Sequence, residues 1–111
     1  QVASFGYTEK QAQEAGYNVR TGKFPFMANG KALGYGESTG YIKIVIDENN
    51  NQLLGASLVG ADVSELLPEL TLAQANGLPV DVIAQNIHAH PTLSEVLMEA
   101  AEAAVGFAIH L

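Results

Sequence analysis

Residues 41–59 read YIKIVIDENNNQLLGASLV, and the pattern of this stretch decides the fold class. Ile42, Ile44 and Ile46 recur with the period of two that marks one face of a half-buried strand. LLGASLV repeats the pattern, and strict alternation assigns Leu54, Ala56 and Leu58 to one face. DENNNQ between the two runs is turn chemistry, because Asp and Asn bond their own backbone and tolerate left-handed dihedrals. A calcium loop would need alternating ligands and a terminal Glu, which this acidic tip lacks. The stretch is therefore expected to be an antiparallel hairpin.

Upstream, VASFGY (2–7) reads as a short strand. In TEKQAQEAG, Thr8 is placed as an N-cap, Gln11 as its capping-box partner and Gly16 beyond the end, with Ala12 and Ala15 as the small inner face. A second strand is expected over Val19–Phe26, with Pro25 marking an edge or an exit. NGKALGYGESTG (29–40) is glycine-rich, but its spacing is G-x-G-x-x-x-G and it precedes a strand instead of opening a helix, so it reads as a connector and not as a phosphate cradle.

Downstream the period becomes helical. Asp62 and Glu65 have capping-box spacing, and Val63, Leu66, Leu67, Leu70 and Ala73 share a face. Pro68 interrupts them and predicts a late start or a kink. Leu72 and Ala75 fall off that stripe, which implies burial on two sides, one of them against another chain. Gly77–Pro79 ends the helix, and VDVIAQ is a short helix or a strand. In the last helix Thr92 is the expected N-cap and Glu95 its capping-box partner. Leu93, Val96, Leu97, Ala100, Ala101 and Ala104 then follow on one face, and Gly106 stops the helix. Strand, helix, strand, hairpin, then helices argues an α+β fold with helices packed on an antiparallel sheet.

Length and charge narrow the function. The 111 residues suit one domain, 1–111, and 48% hydrophobic residues suffice for a packed core. Twelve acidic against five basic residues, net −7, disfavour nucleic acid as a partner. No apolar run is long enough to cross a bilayer, and no signal segment is visible. With Gln1 in place of an initial Met, the chain is read as a soluble piece of a longer one. The absence of cysteine removes disulfides, thiolate nucleophiles and cysteine metal sites.

IHAHPTLSEVLMEAAE (87–102) holds two of the three histidines, His88 and His90, immediately before the helix start. Three readings compete. As a metal pair, His88 and His90 on one extended face would need a third ligand such as Glu95 or His110, and no spacing supports one. As punctuation, PTLSE is explained and HAH is not. As an acid–base pair, Glu95 would accept the Nδ1 proton of His90, fix its tautomer and leave Nε2 to exchange protons. Pro91 stiffens the connection. That reading lacks a substrate group within the chain, which places its target on another chain or domain.

These residues resemble a known family. IHAHPTLSE is similar to the C-terminal signature of the dihydrolipoamide dehydrogenases, members of the pyridine nucleotide-disulfide oxidoreductases. VASFGYTEKQAQEAGY, GKFPFMANGKAL and LLGASLVGADVSEL resemble further parts of the same interface, or dimerisation, domain, in the same order along nearly the whole chain. Two histidines before Pro-Thr favour the lipoamide enzymes over the glutathione reductases, which usually have one. The resemblance implies an enzyme, a homodimer, FAD and NAD as cofactors of the full-length protein, and lipoyl domains of 2-oxoacid dehydrogenase complexes as its partners. It implies His90 as the acid–base residue acting in trans on the partner's cysteines and flavin, Glu95 as its orienting partner, and the backbone of His90 and Pro91 beside the flavin. It assigns no role to His88 or His110, implies no metal, and places the protein in bacterial cytoplasm or the mitochondrial matrix. Two departures stand out. The FAD domain, NAD domain and cysteine pair are absent, so the fragment alone is expected to be inactive and to bind no cofactor, and Pro68 has no counterpart in the family pattern.

Overall fold

The computed structural model describes residues 2–25, 40–60, 63–86 and 95–106. Its elements are β1 (Val2–Gly6), α1 (Glu9–Glu14), β2 (Val19–Pro25), β3 (Tyr41–Asp47), β4 (Leu53–Val59), a 3-10 turn (Val63–Leu66), α2 (Leu67–Ala75), α3 (Asp81–Gln85) and α4 (Glu95–Val105). The strands form one four-stranded sheet in the order β1-β4-β3-β2, and every pairing is antiparallel. The expected α+β architecture is observed. β2 lies at an edge, where the missing N–H of its last residue, Pro25, breaks no ladder.

The hairpin forms, with one correction to its facing. Ile42 pairs with Leu58 and Ile44 with Ala56, but Ile46 pairs with Leu53, so Leu54 is an extra residue in β4. A bulge of this kind reverses which face the following residues meet. Leu53 therefore joins the main core with Ala56 and Leu58, whereas Leu54 turns to the opposite face with Val45 and Ala12. Strict alternation had placed Leu54 with the main face.

The turn behaves as its residues dictate. Asn49 N donates to Asp47 Oδ1 at 2.9 Å and Gln52 N to Asn50 Oδ1 at 2.9 Å. Asn51 takes the left-handed conformation, φ 59°. Its side-chain amide donates to Asp81 Oδ1 at 2.9 Å, and its carbonyl accepts from Val80 N at 2.8 Å. A bridge between Gln52 and Pro79 completes a latch between the hairpin tip and the segment that enters α3.

α1 covers the outer face of the sheet. Its capping box is present: Gln11 N donates to Thr8 Oγ1 at 3.1 Å, and Thr8 N to Gln11 Oε1 at 3.0 Å. Ala12 is fully buried on Val45 and Leu54, but Ala15, expected on the inner face, is the exposed C-cap. The helix ends one residue before the inner side of the turn would reach it again, and Gly16, φ 96°, reverses the chain. Lys43 Nζ meets Glu9 Oε1 at 2.8 Å on this face, a partly exposed pair of modest worth.

The other three helices pack on the inner face. Phe24, Ile42, Ile44, Ile46 and Leu58 of the sheet meet Leu70, Ile83, Val96 and Leu97 of the helices, all essentially inaccessible to solvent. Each such side chain contributes roughly 1.5–3 kcal/mol relative to exposure. Pro68 delays α2 as anticipated, since the preceding turn is 3-10 and Pro68 sits in the first α-helical turn, where its missing donor costs nothing. VDVIAQ resolves as the short helix α3, burying Val80 and Ile83. The glycine-rich connector lies outside the described residues apart from Gly40, as do Asp62 and Thr92 with their proposed caps.

β2 and α4 approach each other backbone to backbone. Gly22 faces the helix, and a Cβ there would overlap the Ala100 carbonyl oxygen and the Ala104 nitrogen. Backbone, not a flexible side chain, fills that space. Gly22→Ala should therefore lower stability by about 1–3 kcal/mol through overpacking, read as a reduced urea midpoint at unchanged slope. Asn51→Ala should cost about 1–2 kcal/mol, because alanine tolerates the left-handed region poorly and the amide bond to Asp81 is lost. Asn51→Gly removes only the amide bond and should cost less in the same measurement.

Candidate functional site

The residue expected to orient the acid–base histidine, Glu95, is the first residue of α4 and is partly buried. Its position is set from below. Val96, Leu97, Ala100, Ala101 and Ala104 are buried against the sheet, and Ala100 and Ala104 seat the helix on Gly22. A carboxylate in the first turn of a helix lies at the positive end of the backbone dipole, next to unbonded amides. Glu95 is not without a partner. The residues it was expected to serve, His88, His90 and Pro91, lie outside the described residues, as does His110. The structure thus places one member of the candidate pair on an anchored helix.

One turn further along α4 stands a residue that sequence reading passed over. Glu99 is only 7% exposed, a buried carboxylate among the apolar residues of this helix face. At i+4 from Glu95 it lies on the same side of the helix, and it too has an interaction partner. The signal was present in the spacing: position 99 follows Val96 by three residues and so falls inside the buried stripe. A carboxylate there is retained only when it is compensated, because burial of a bare charge is costly.

A second candidate surface lies between α2 and α3. Leu72 is 64% exposed, Val82 44% and Leu78 36%, and the three surround a shallow groove floored by Ala73 and Ile83. Glu69 and Asn86 close one rim, with Asn86 Nδ2 donating to Glu69 Oε2 at 3.2 Å. The off-stripe position of Leu72 leaves it outside this chain's own core.

The described residues do not fit a dinucleotide. Their sheet is antiparallel throughout, so it has no parallel strand–helix–strand crossover of the kind that presents a helix N-terminus to a pyrophosphate. Among the described residues, no cluster of three His, Asp or Glu side chains is arranged to hold a metal ion. No helix among them is long and apolar enough to cross a membrane.

Comparison with known proteins agrees with this geometry. Residues 1–101 match the family described as pyridine nucleotide-disulphide oxidoreductase, dimerisation domain. The chain is 53% identical over 109 residues to a dihydrolipoyl dehydrogenase of Mycobacterium tuberculosis, covering 98% of this chain and 24% of that protein. It is 46% identical over 111 residues to a dihydrolipoyl dehydrogenase of Bacillus subtilis, covering 100% of this chain and 24% of that protein. Among solved structures it resembles the HOCl-induced flavoprotein disulfide reductase RclA from Escherichia coli, with a TM-score of 0.87 and 29% identity over 91% of this chain and 23% of that one. The chain thus spans about a quarter of the length of these relatives. With its antiparallel sheet carrying a helical layer and its match over residues 1–101, the chain belongs to the dimerisation-domain family of the pyridine nucleotide-disulphide oxidoreductases.

Proposed function

We propose that this chain is the interface domain of a dihydrolipoyl dehydrogenase, working as part of a longer homodimeric flavoprotein that oxidises dihydrolipoamide to lipoamide and reduces NAD. The observation that carries the reading is 53% identity across 98% of the chain with an enzyme of that name. FAD and NAD, bound by the remaining length of the protein, supply the electron-accepting chemistry. The chain's own contribution is a proton site: His90 takes the thiol proton of dihydrolipoamide at Nε2, and Glu95 holds its Nδ1–H. A helix start is a suitable mount for Glu95, because α4 is pinned to β2 at Gly22.

In this reading His90 and Pro91 of one subunit face the flavin and cysteine pair of the other. Dimerisation is then a condition of activity, and the 111-residue chain alone is inactive. Its further partners are the lipoyl domains of 2-oxoacid dehydrogenase complexes, in the bacterial cytoplasm or mitochondrial matrix. A second reading, the same domain in another FAD-dependent disulfide reductase, is favoured by the close fold match to RclA. A substrate panel of dihydrolipoamide against other dithiols and disulfides separates the two.

His90→Gln in the full-length protein should lower dihydrolipoamide turnover by about 10²–10⁴-fold, the usual worth of a positioned acid–base group, with FAD still bound. Glu95→Gln should produce a smaller loss and displace the pH–rate profile, as expected of a residue acting through the histidine. Near-normal turnover of His90→Gln would remove the assignment.

A further inference from the structure

We propose that Glu99 is a positioning residue for the acid–base pair: its buried carboxyl keeps a proton at neutral pH and donates it in a hydrogen bond to the Glu95 carboxylate. The inference rests on the flavoenzyme reading above and adds to it the group that holds the orienting glutamate in place.

Glu95 and Glu99 stand one helical turn apart on the same side of α4, with Cβ atoms about 5–6 Å from each other. A long side chain on a helix leans toward the N-terminus, over the turn before its own. The Glu99 carboxyl is thereby directed to the level of Glu95. The surroundings of the two groups differ. Glu99 is 7% exposed, beside the fully buried Val96 and Ala100. Glu95 is partly buried in the first turn, where the helix dipole favours the ionised form. Two neighbouring carboxylates do not both ionise without penalty, and burial assigns the proton to Glu99. Environments that separate two such groups in this way mark out their roles, one as donor and the other as acceptor.

The charges around α4 fit a neutral Glu99. β2, β3 and α3 pack on this helix. β2 brings Arg20, held by Glu48 at 3.4 Å, and Lys23, seated over the Tyr41 ring. β3 brings Tyr41, Lys43, which meets Glu9 on the outer face, and Asp47, which accepts from Asn49 N. α3 brings Asp81, bonded to the Asn51 amide, and α4 itself adds Glu102. Among the described residues, the cations of these elements are engaged elsewhere, and no Lys or Arg follows Lys43 in the chain. Protonation removes the cost of burying a charge at Glu99 and turns its carboxyl into a donor. Neither glutamate is without a partner, and a carboxyl group with two oxygens can serve more than one. A Glu95 carboxylate tied down at one oxygen presents the other to His90 Nδ1–H, which fixes the imidazole tautomer.

The test uses the full-length, flavin-loaded protein and reads kcat and kcat/KM for dihydrolipoamide against pH. Glu99→Gln keeps a donor at the same reach and should leave turnover and pH profile close to wild type. Glu99→Leu should lower kcat about tenfold, the worth of one charge-assisted hydrogen bond, with KM little changed because the residue does not touch substrate. Without the donor, Glu95 draws the His90 proton more strongly, so the acid limb of kcat/KM should move up by about half a unit to one unit. A wild-type rate and profile for Glu99→Leu overturns the proposal, since Glu99 then serves packing alone. A Glu99→Gln limb displaced to lower pH also overturns it, because Glu99 would then act as a charge. An infrared difference between wild type and Glu99→Gln decides the proton without any need for turnover: a carboxylic-acid C=O stretch at neutral pH is expected in the wild type only, and its absence overturns the proposal even if Glu99→Leu fails to fold. Failure of the flavoenzyme reading shows itself separately, as near-normal turnover of His90→Gln.

Discussion

The contact of α4 with β2 at Gly22 is the constraint on which the rest of the described structure depends. A helix normally keeps its distance from a sheet because side chains from both surfaces must fit between them. Here one partner has no side chain and the other offers Ala100 and Ala104, so backbone meets backbone. The closeness of that contact carries Val96 and Leu97 down onto the sheet beside Phe24, completing the core. It also sets the height at which Glu95 stands. A candidate catalytic carboxylate and this backbone-to-backbone contact therefore belong to the same helix, which is the arrangement that positions a side chain with least slack.

Most of this was legible in the residues for identifiable reasons. The Thr8–Gln11 capping box, the turn chemistry of Asp47–Gln52 and the delayed start at Pro68 are local effects, complete within a few residues, and local rules describe them. Leu54 was misplaced because a bulge is a property of two strands together: nothing within LLGASLV says that Ile46 will pair with Leu53. Glu99 was overlooked because its charge argued for the surface while its position in the helical period argued for the core, and position prevailed. The role of Gly22 was hidden for a different cause, since its meaning lies in residues nearly eighty positions later. For the candidate site, the place of Glu95 in the first turn of α4 and the off-stripe position of Leu72 could be read directly. What each one faces across a subunit boundary depends on groups that this stretch of sequence does not contain.

The two faces of the sheet have different characters. The inner face is buried beneath three helices, whereas the outer face has only a small cluster of Ala12, Val45 and Leu54, roofed by two turns of helix and edged by the Lys43–Glu9 ion pair. The Tyr7 and Tyr17 rings, 5.9 Å apart, brace the ends of that roof. Stability is thus concentrated on the helical side, and the outer side is free to vary in composition without disturbing Glu95 or the groove.

The strand order β1-β4-β3-β2 carries a consequence for how the chain assembles. β3 and β4 are joined by a tight turn, and their pairing closes a very short loop. β2 reaches β3 across the longer connector after Pro25, and β1 must wait for β4, which follows it by most of half the chain. Loop-closure entropy rises with each of these separations, and contacts distant in sequence slow folding. The central hairpin is thereby the natural nucleus, and the latch of Asn51 on Asp81 lets it gather the helical layer before either edge strand has joined. β1, the last to find its partner, closes the sheet.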